Sequence, residues 1–532
     1  MATSQVINNM TGGTNLGKFP AVCGSELSVN MYQGANGKNA FQESMPGIKF
    51  VQQLGGQCRG VWVSTMGLSV TKSREDMYVA MGNRLLRVND RGSEFVCALA
   101  NNGRRVTFAE TGGPRAMLLV CDGDALYAIE LDEGTVHQVQ CPNSATGDGH
   151  TVRPTHVCVV SGAICINDTD AGFVYYSDPY VLSSDTRTVF DMVNGEVQYE
   201  TDGITVKTIE VDSFAHCFED KYQAQQFFNA ESNSDNINGL VSIGQYLYVF
   251  GTKSAEIYTY AGEEYNTWSR VSYTTQTSFG LEAPNSLAVN GDTVCFIASG
   301  QQYGKCIMAA RGPKFERISE DWLDNKLQSE NTESCTAFCY AVGGHSFYVL
   351  DLDTLGETWC HDGVFGHWHQ RTSRDRSSGL EVQWRVRGMG YWDEKFWAFT
   401  GDGGMYAFTD YYYEDYPDGK KLPVVRHRQT PVFTDGNRPF VIEEVAIECN
   451  VGTHSDRTLR PQVLLECSKD GGMTFGNVRH ASFGGVGEYS RRVRFHALGM
   501  NRLCVLRVTF SEPMDLVLLS CDVRAGKTGA QI

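Results

Sequence analysis

Met117-Leu118-Leu119-Val120-Cys121, then Asp122-Gly123-Asp124, then Leu126-Tyr127-Ala128-Ile129: two short apolar runs meet across a turn of Gly and Asp. Residues of those types tolerate the backbone angles a tight turn requires, so the stretch reads as a β-hairpin. The same figure recurs in both directions. Before it stand Met77-Tyr78-Val79-Ala80, Gly82-Asn83 and Leu85-Leu86-Arg87-Val88; after it come Val157 to Val160, Ser161-Gly162 and Ile164-Cys165-Ile166. Later copies turn at Gly244-Gln245, Gly291-Asp292, Gly343-Gly344 and Trp392-Asp393.

The spacing of these turns is regular. The steps from 82 to 123 and on to 162 are 41 and 39 residues; from 162 to 244 is 82, and Asp202-Gly203 stands near the missing midpoint. Steps of 47, 52 and 50 follow. A hairpin every ~40–50 residues is the period of propeller blades. A four-stranded blade cannot bury both its faces alone, whereas a ring of blades buries them against one another. The expected fold is therefore all-β: a β-propeller of six to eight blades, since one hairpin need not equal one blade. A large sandwich with similar turns is the competing reading.

Composition divides the chain. Residues 1–45, rich in Asn, Gly and Ser, read as an N-terminal arm that orders on contact with a neighbour or as a plain disordered terminus. Residues 46–425 carry the propeller, ending in the exposed Tyr411-Tyr412-Tyr413-Glu414-Asp415-Tyr416-Pro417 stretch. Residues 426–532 form a second, sandwich-like β domain with strand patterns at 442–449, 462–467 and 505–510. A short helix is expected over 319–327, with Ser319 as N-cap, Ile318 packing on Leu323, and Leu323 and Leu327 on one face.

The 532 residues carry a formal net charge of −17. Sequence-independent DNA binding by the whole chain is disfavoured, because phosphate contact needs concentrated Lys and Arg. Acidity keeps a large protein soluble, and it also suits a channel wall that must repel DNA. The 17 cysteines are odd in number and lie in apolar runs such as Val157-Cys158-Val159, so they read as small buried hydrophobes with unpaired thiols in a reducing cytoplasm. No secretory signal is expected at Met1-Ala2-Thr3-Ser4-Gln5, and no run approaches the ~18 apolar residues of a membrane helix.

Ser468-Lys469-Asp470-Gly471-Gly472-Met473-Thr474-Phe475 matches an Asp-box turn, with Ser468, Asp470, Gly472, Thr474 and Phe475 at the motif positions. The Asp of such a turn accepts backbone N–H groups, and the aromatic packs beneath; it is a folding device and not a catalytic site. Cys335, Cys339, His345, Cys360, His361, His367 and His369 crowd one stretch, but C-x₃-C is not the paired spacing of a structural zinc site, and core packing explains them. Asp351-Leu352-Asp353 begins like a calcium loop, which then fails at Leu355 and Asp362. Arg104, Arg105, Arg371, Arg374, Arg376, Arg491, Arg492 and Arg494 could touch DNA or a neighbour; solvated surface or intersubunit pairing is the favoured reading. No catalytic, metal or cofactor-binding residue and no cofactor is expected.

The order of several segments resembles the packaged-DNA stabilisation proteins of short-tailed bacteriophages, the tail hub or nozzle family. The resemblance runs through Phe41-Gln42-Glu43-Ser44-Met45-Pro46-Gly47-Ile48, Gly112-Gly113-Pro114-Arg115, Tyr175-Tyr176-Ser177-Asp178-Pro179, Gln225-Gln226-Phe227-Phe228, Asn238-Gly239-Leu240 and Ala283-Pro284-Asn285-Ser286, covering most of residues 40–330. It implies a non-enzymatic virion-tail protein, assembled in the bacterial host cytoplasm. Such a protein forms a homo-oligomer, typically a hexameric ring, under the portal adaptor protein. It closes the channel through which double-stranded DNA passes, takes part in genome ejection, and supports fibre, spike or needle proteins. The alternatives are a propeller glycosidase acting on host surface polysaccharide, which would need two carboxylates on one propeller face, and a monomeric ligand-binding propeller of a cell.

Overall fold

The computed structural model describes residues 4–7, 12–17, 25–36, 39–65, 76–89, 92–113, 115–230, 235–263, 266–271, 278–300, 304–436, 438–450, 460–488 and 491–527. Seven antiparallel sheets follow one another along the chain, at 58–98, 107–139, 157–229, 237–270, 279–317, 336–374 and 386–408. These are the blades of a propeller, numbered here in chain order. Each has four strands, the fifth adding the short Ala288–Asn290, and the sixth continuing into further strands. Blade seven takes its fourth strand, Lys49–Gln53, from ahead of blade one: Gly404 pairs with Gln53 and Ala407 with Lys49. The ring is thereby latched by hydrogen bonds between the two ends of the propeller.

Blade one shows why the apolar runs are continuous. All five residues of Met77–Met81 are buried. Met77, Val79 and Met81 meet Trp392 and Phe399 of blade seven, while Tyr78 and Ala80 meet Leu118 and Val120 of blade two. Neighbouring side chains on a strand point to opposite faces, so a strand held between two blades must be apolar at every position. Burying each large side chain contributes about 1.5–3 kcal/mol. Similar clusters fill the gaps between blades two and three, three and four, four and five, five and six, and six and seven.

Each of the seven Gly- or Asp-containing turns marks one blade. The turns at 82 and 123 join second and third strands, and the five later ones join a blade's inner strand to the next. Asp202-Gly203 does not mark a blade. It lies within residues 178–226, an insertion between Phe173–Tyr176 and Phe227–Asn229 of blade three, so the 82-residue step is one blade with a projection and not two blades.

In the sandwich, Phe440–Asn450, Arg491–Asn501 and Val517–Lys527 share a sheet with Met31–Asn36, Asn39–Ser44 and Ser4–Ile7. Arg426–Gln429, Val505–Phe510, Gln462–Ser468 and Arg479–Ser482 form the facing sheet. Ile442, Ile447, Leu465, Phe483, Leu506 and Phe510 pack between them. Residues read from sequence as an N-terminal arm thus include strands paired with this chain's own C-terminal domain; positions 8–11 lie outside the described residues. The helix is Asp321–Ser329, between blades five and six, with Trp322, Leu323 and Leu327 buried. Its N-cap is Glu320 and not Ser319, because the Ser319 hydroxyl accepts the Ile307 N–H at 2.9 Å in blade five.

Candidate functional site

The seven inner strands surround an axial cavity of about 570 Å³. Val61, Val106, Val157, Leu240, Ala288, Phe338 and Met389 give it an apolar wall. Arg105, which leads into the inner strand of blade two, reaches across this space. Its Nη1 donates to the carbonyl of Asn285 at 2.8 Å, ahead of the inner strand of blade five, and to that of Ala337 in blade six. No carboxylate pairs with it among the described residues, and burial lowers its pKa. Beside it the buried His156 is held at about 4, by burial first and by the Arg105 charge second. Glu110 is the single carboxylate on the wall among the described residues, and it accepts from Trp62 Nε1 at 2.9 Å.

The second constructed region joins propeller to sandwich. Ser25–Val29 makes the two one sheet: Val29 pairs in parallel with Gln370 of blade six, while Leu27, Ser28 and Val29 pair antiparallel with Gln429, Arg428 and His427. Asn30 then turns the chain at a φ of 53°, a left-handed conformation that Asn tolerates better than most residues. Its N–H donates to the Gln370 carbonyl at 2.9 Å. Its Nδ2 donates to Thr372 Oγ1 at 2.8 Å and the Val425 carbonyl at 2.7 Å, and its Oδ1 accepts the Thr372 N–H at 3.1 Å. One side chain thus ties blade six to the first residues of the sandwich.

Two fully buried cations lie alongside. Arg426 donates to Ser44 Oγ at 3.1 Å and to the Met514 carbonyl at 2.6 Å. Arg428 donates to the Gly13 carbonyl at 2.9 Å and faces Glu26 at 3.4 Å. Burial brings both down to about 10. The sequence reading passed over Arg426-His427-Arg428, because nothing local distinguishes a buried arginine from a solvated one.

At the Asp-box turn the Ser468 hydroxyl donates to Asp470, whose carboxylate accepts the N–H groups of Met473 and Thr474 at 3.0 and 2.9 Å. These bonds hold its pKa well below the usual carboxylate range. The Gly472 N–H donates to Ser468 Oγ at 2.8 Å. Phe475 is half-buried beneath the Arg507 guanidinium, 3.9 Å from its ring centre. The other arginines singled out from sequence have partners in their own chain: Arg104 on the Gly123 carbonyl, Arg371 over Trp384, Arg374 on the Gly379 carbonyl, Arg376 near Asp418, and Arg491, Arg492 and Arg494 on Glu488, Asp522 and Glu444.

The Cys335-to-His369 stretch does not converge on a point. His345 bonds Asp362 at 2.8 Å, His361 packs on Trp368, and Cys335 and Cys360 sit in different inter-blade clusters. Two groups of metal-type ligands do meet elsewhere, from separate segments: Glu130, His137 and Asp185, and His150, Asp168 and Asp170. Arg115 already pairs with Glu130 and Asp185 in the first, and in the second Asp168 accepts Ser144 Oγ at 2.8 Å.

A latched propeller, its axis crossed by its own side chain, is fastened here to a sandwich by a shared sheet, an architecture suited to a structural scaffold. Two family models match it: Bacteriophage P22 Gp10, beta-propeller, over residues 25–403, and Bacteriophage P22 Gp10, beta-sandwich, over residues 426–526. The chain belongs to the bacteriophage P22 Gp10 family, the phage stabilisation proteins of the virion tail, which retain packaged DNA. Membership brings tail assembly partners with it. No described helix is long and apolar enough to cross a membrane.

No curated protein sequence matches the chain. Among solved structures it is similar to the extracellular domain of the hybrid two-component system BT4673 from B. thetaiotaomicron, at 8% identity and TM-score 0.38, over 73% of this chain and 45% of that one. It is also similar to an exo-β-1,3-galactanase from Phanerochaete chrysosporium, at 12% identity and TM-score 0.25, over 79% and 97%. The chain thus spans less than half of the first of these, and the family models carry the assignment.

Proposed function

We propose that copies of this chain form a ring, a hexamer, beneath the portal adaptor, and that the DNA channel is the space enclosed between copies. The observation that supports this is the blocked propeller axis. Arg105 bridges it, and a duplex whose major groove alone is about 12 Å wide has no room there. A protein that retains packaged DNA must therefore hold it outside its own propeller. Charge fits the same reading: residues 426–532 hold 14 basic and 11 acidic residues, so residues 1–425 carry a net −20. Walls of that sign let DNA slide and do not bind its phosphates. Residues 46–425 and 426–532 act as one rigid wall segment, with residues 1–45 lacing them together. Fibre, spike or needle proteins attach to the ring, and its loops open the channel on ejection.

Light scattering and negative-stain imaging of the purified protein, alone and mixed with the adaptor ring, test this reading. Rings or tubes with an axial opening are expected. A chain that stays monomeric with and without adaptor overturns it.

A further inference from the structure

The outer end of the blade-three projection, residues 192–206, has no partner outside the projection among the described residues. Thr186–Phe190 pairs with Thr208–Asp212 as a stalk, and Met192–Val193 with Glu196–Val197 beyond it. Two turns cap the tip. Asn194 and Gly195 take φ of 52° and 81°, as a tight hairpin requires. At the other turn Asp202 accepts the N–H groups of Ile204 and Thr205 at 2.9 and 2.8 Å. The tip is thus shaped in advance, yet it displays apolar side chains: Ile204 is 82% exposed, Tyr199 56% and Val193 50%. A thin two-stranded ribbon is marginal by itself, and apolar residues held rigidly in water at its end mark a contact surface.

Its charge says what it meets. Residues 186–212 hold six acidic and two basic residues. The inverse occurs at one edge of the sandwich, where residues 468–503 hold six basic and two acidic residues. That edge is a single surface: Arg479 donates to the carbonyls of His496 and Ala497, and Asp470 bridges to Leu503. Lys469, Arg479 and Arg502 have no carboxylate partner among the described residues. Met473, Met500 and Val478 are 75%, 58% and 51% exposed. The edge therefore offers apolar contacts and spare cations to an apolar, acidic tip.

The two surfaces cannot meet within one molecule. The sandwich hangs from blade six, and the projection from blade three; three steps around a ring of seven places them nearly opposite. Two unlike, complementary surfaces on opposite sides of a subunit make a head-to-tail contact, which closes into a ring when the rotation per step allows. We infer that the blade-three projection docks on the Asp-box edge of the sandwich in the next copy of this chain. The inference rests on the ring reading above and supplies its contact.

Opposed charge reversals test it in the full-length protein. Glu196→Lys with Glu200→Lys on the tip, or Lys469→Glu with Arg502→Glu on the sandwich, should each weaken ring formation in sedimentation velocity by about tenfold or more. Combining both pairs should restore it, and Ile204→Asp should break it without rescue by either sandwich change. Matching melting temperatures, measured in parallel, exclude misfolding as the cause. Rings indifferent to both pairs, or a combined variant that stays dissociated, overturn the docking but leave the ring reading intact. Tip variants that form normal rings but fail to bind the adaptor also overturn it and make the projection an adaptor contact. A wild-type chain that never assembles, with or without adaptor, overturns docking and ring together.

Discussion

Arg105 Nη1 lies 2.8 Å from the carbonyl oxygen of Asn285, although the two residues belong to blades two and five. The bond crosses the axis of the propeller, and the neighbouring bond to Ala337 fastens the same guanidinium to blade six. Blades in such a ring pack mainly on their neighbours, so a link between distant blades adds a coupling that the circumference does not supply. A strut through the middle stiffens the ring against ovalisation.

Replacing Arg105 by Met keeps most of its apolar stem and removes the strut. Two carbonyls then lose a charged donor, at a cost of about 1.5–3 kcal/mol. Denaturant unfolding should show that loss with an unchanged slope, since the same surface is exposed on unfolding. A variant as stable as the parent would mean that water replaces the guanidinium without penalty.

Asn30 is the corresponding fastener between domains. Asn30→Gly keeps the φ of 53° accessible and deletes the side-chain bonds to Thr372 and Val425, which should cost about 1–3 kcal/mol. Asn30→Ala should cost about 1–2 kcal/mol more, because a β-carbon disfavours that backbone. Calorimetry should then show the propeller and sandwich transitions further apart than in the parent. Equal stabilities for the two variants would show that backbone strain plays no part at this turn.

The parts of the fold legible in sequence are those with a local cause. Leu118, Leu119 and Val120 are consecutive and apolar because blades one and three press on the two faces of that strand, and the Gly turns recur because each blade needs a hairpin. The latch strand Lys49–Gln53 left no such mark: its outward residues are exposed, and its partner lies some 350 residues away. The same holds for Glu43, which pairs with Val517. Asp202-Gly203 misled because a hairpin on a projection and a hairpin in a blade use identical turn chemistry. Arg105 read as a surface arginine, since only the closed ring creates the axis it spans. The Asp-box residues were visible as a motif; the basic edge around them required the sandwich to bring 468–479 beside 496–503.

Acid should loosen the structure through its buried histidines, against the opposing contribution of the buried Asp351, whose carboxyl burial pushes up to about 7. His156, His361 and His427 are each held at about 4 by burial, against about 6.5 in an unfolded chain. Between those values the unfolded state binds protons that the folded state refuses. The stability these neutral imidazoles contribute is complete above pH 6.5 and is lost as pH falls toward 4. Melting temperature should fall steadily across that window. His156→Gln should flatten the slope by about one proton's worth. An unchanged slope would assign the acid sensitivity to other groups.

The Asp-box turn gives the sharpest separation of folding from chemistry. Asp470 accepts two backbone N–H groups, from Met473 and Thr474, and the hydroxyls of Ser468 and Thr474. Asp470→Ala leaves these donors to solvent, because the turn is exposed, so the loss is the net worth of a few hydrogen bonds, about 1–3 kcal/mol. Asp470→Asn keeps the acceptor oxygen but not the charge, and should lie between the parent and the Ala variant. The sandwich transition should move further than the propeller transition in either case, because most of the turn's hydrogen bonds lie within the sandwich. The consequence for assembly is separate: Met473 is displayed by this turn, so loosening the turn should weaken ring formation even at temperatures where the sandwich stays folded. Rings that form normally in Asp470→Ala, with the sandwich measurably destabilised, would show that the turn supports the domain but not the contact between copies.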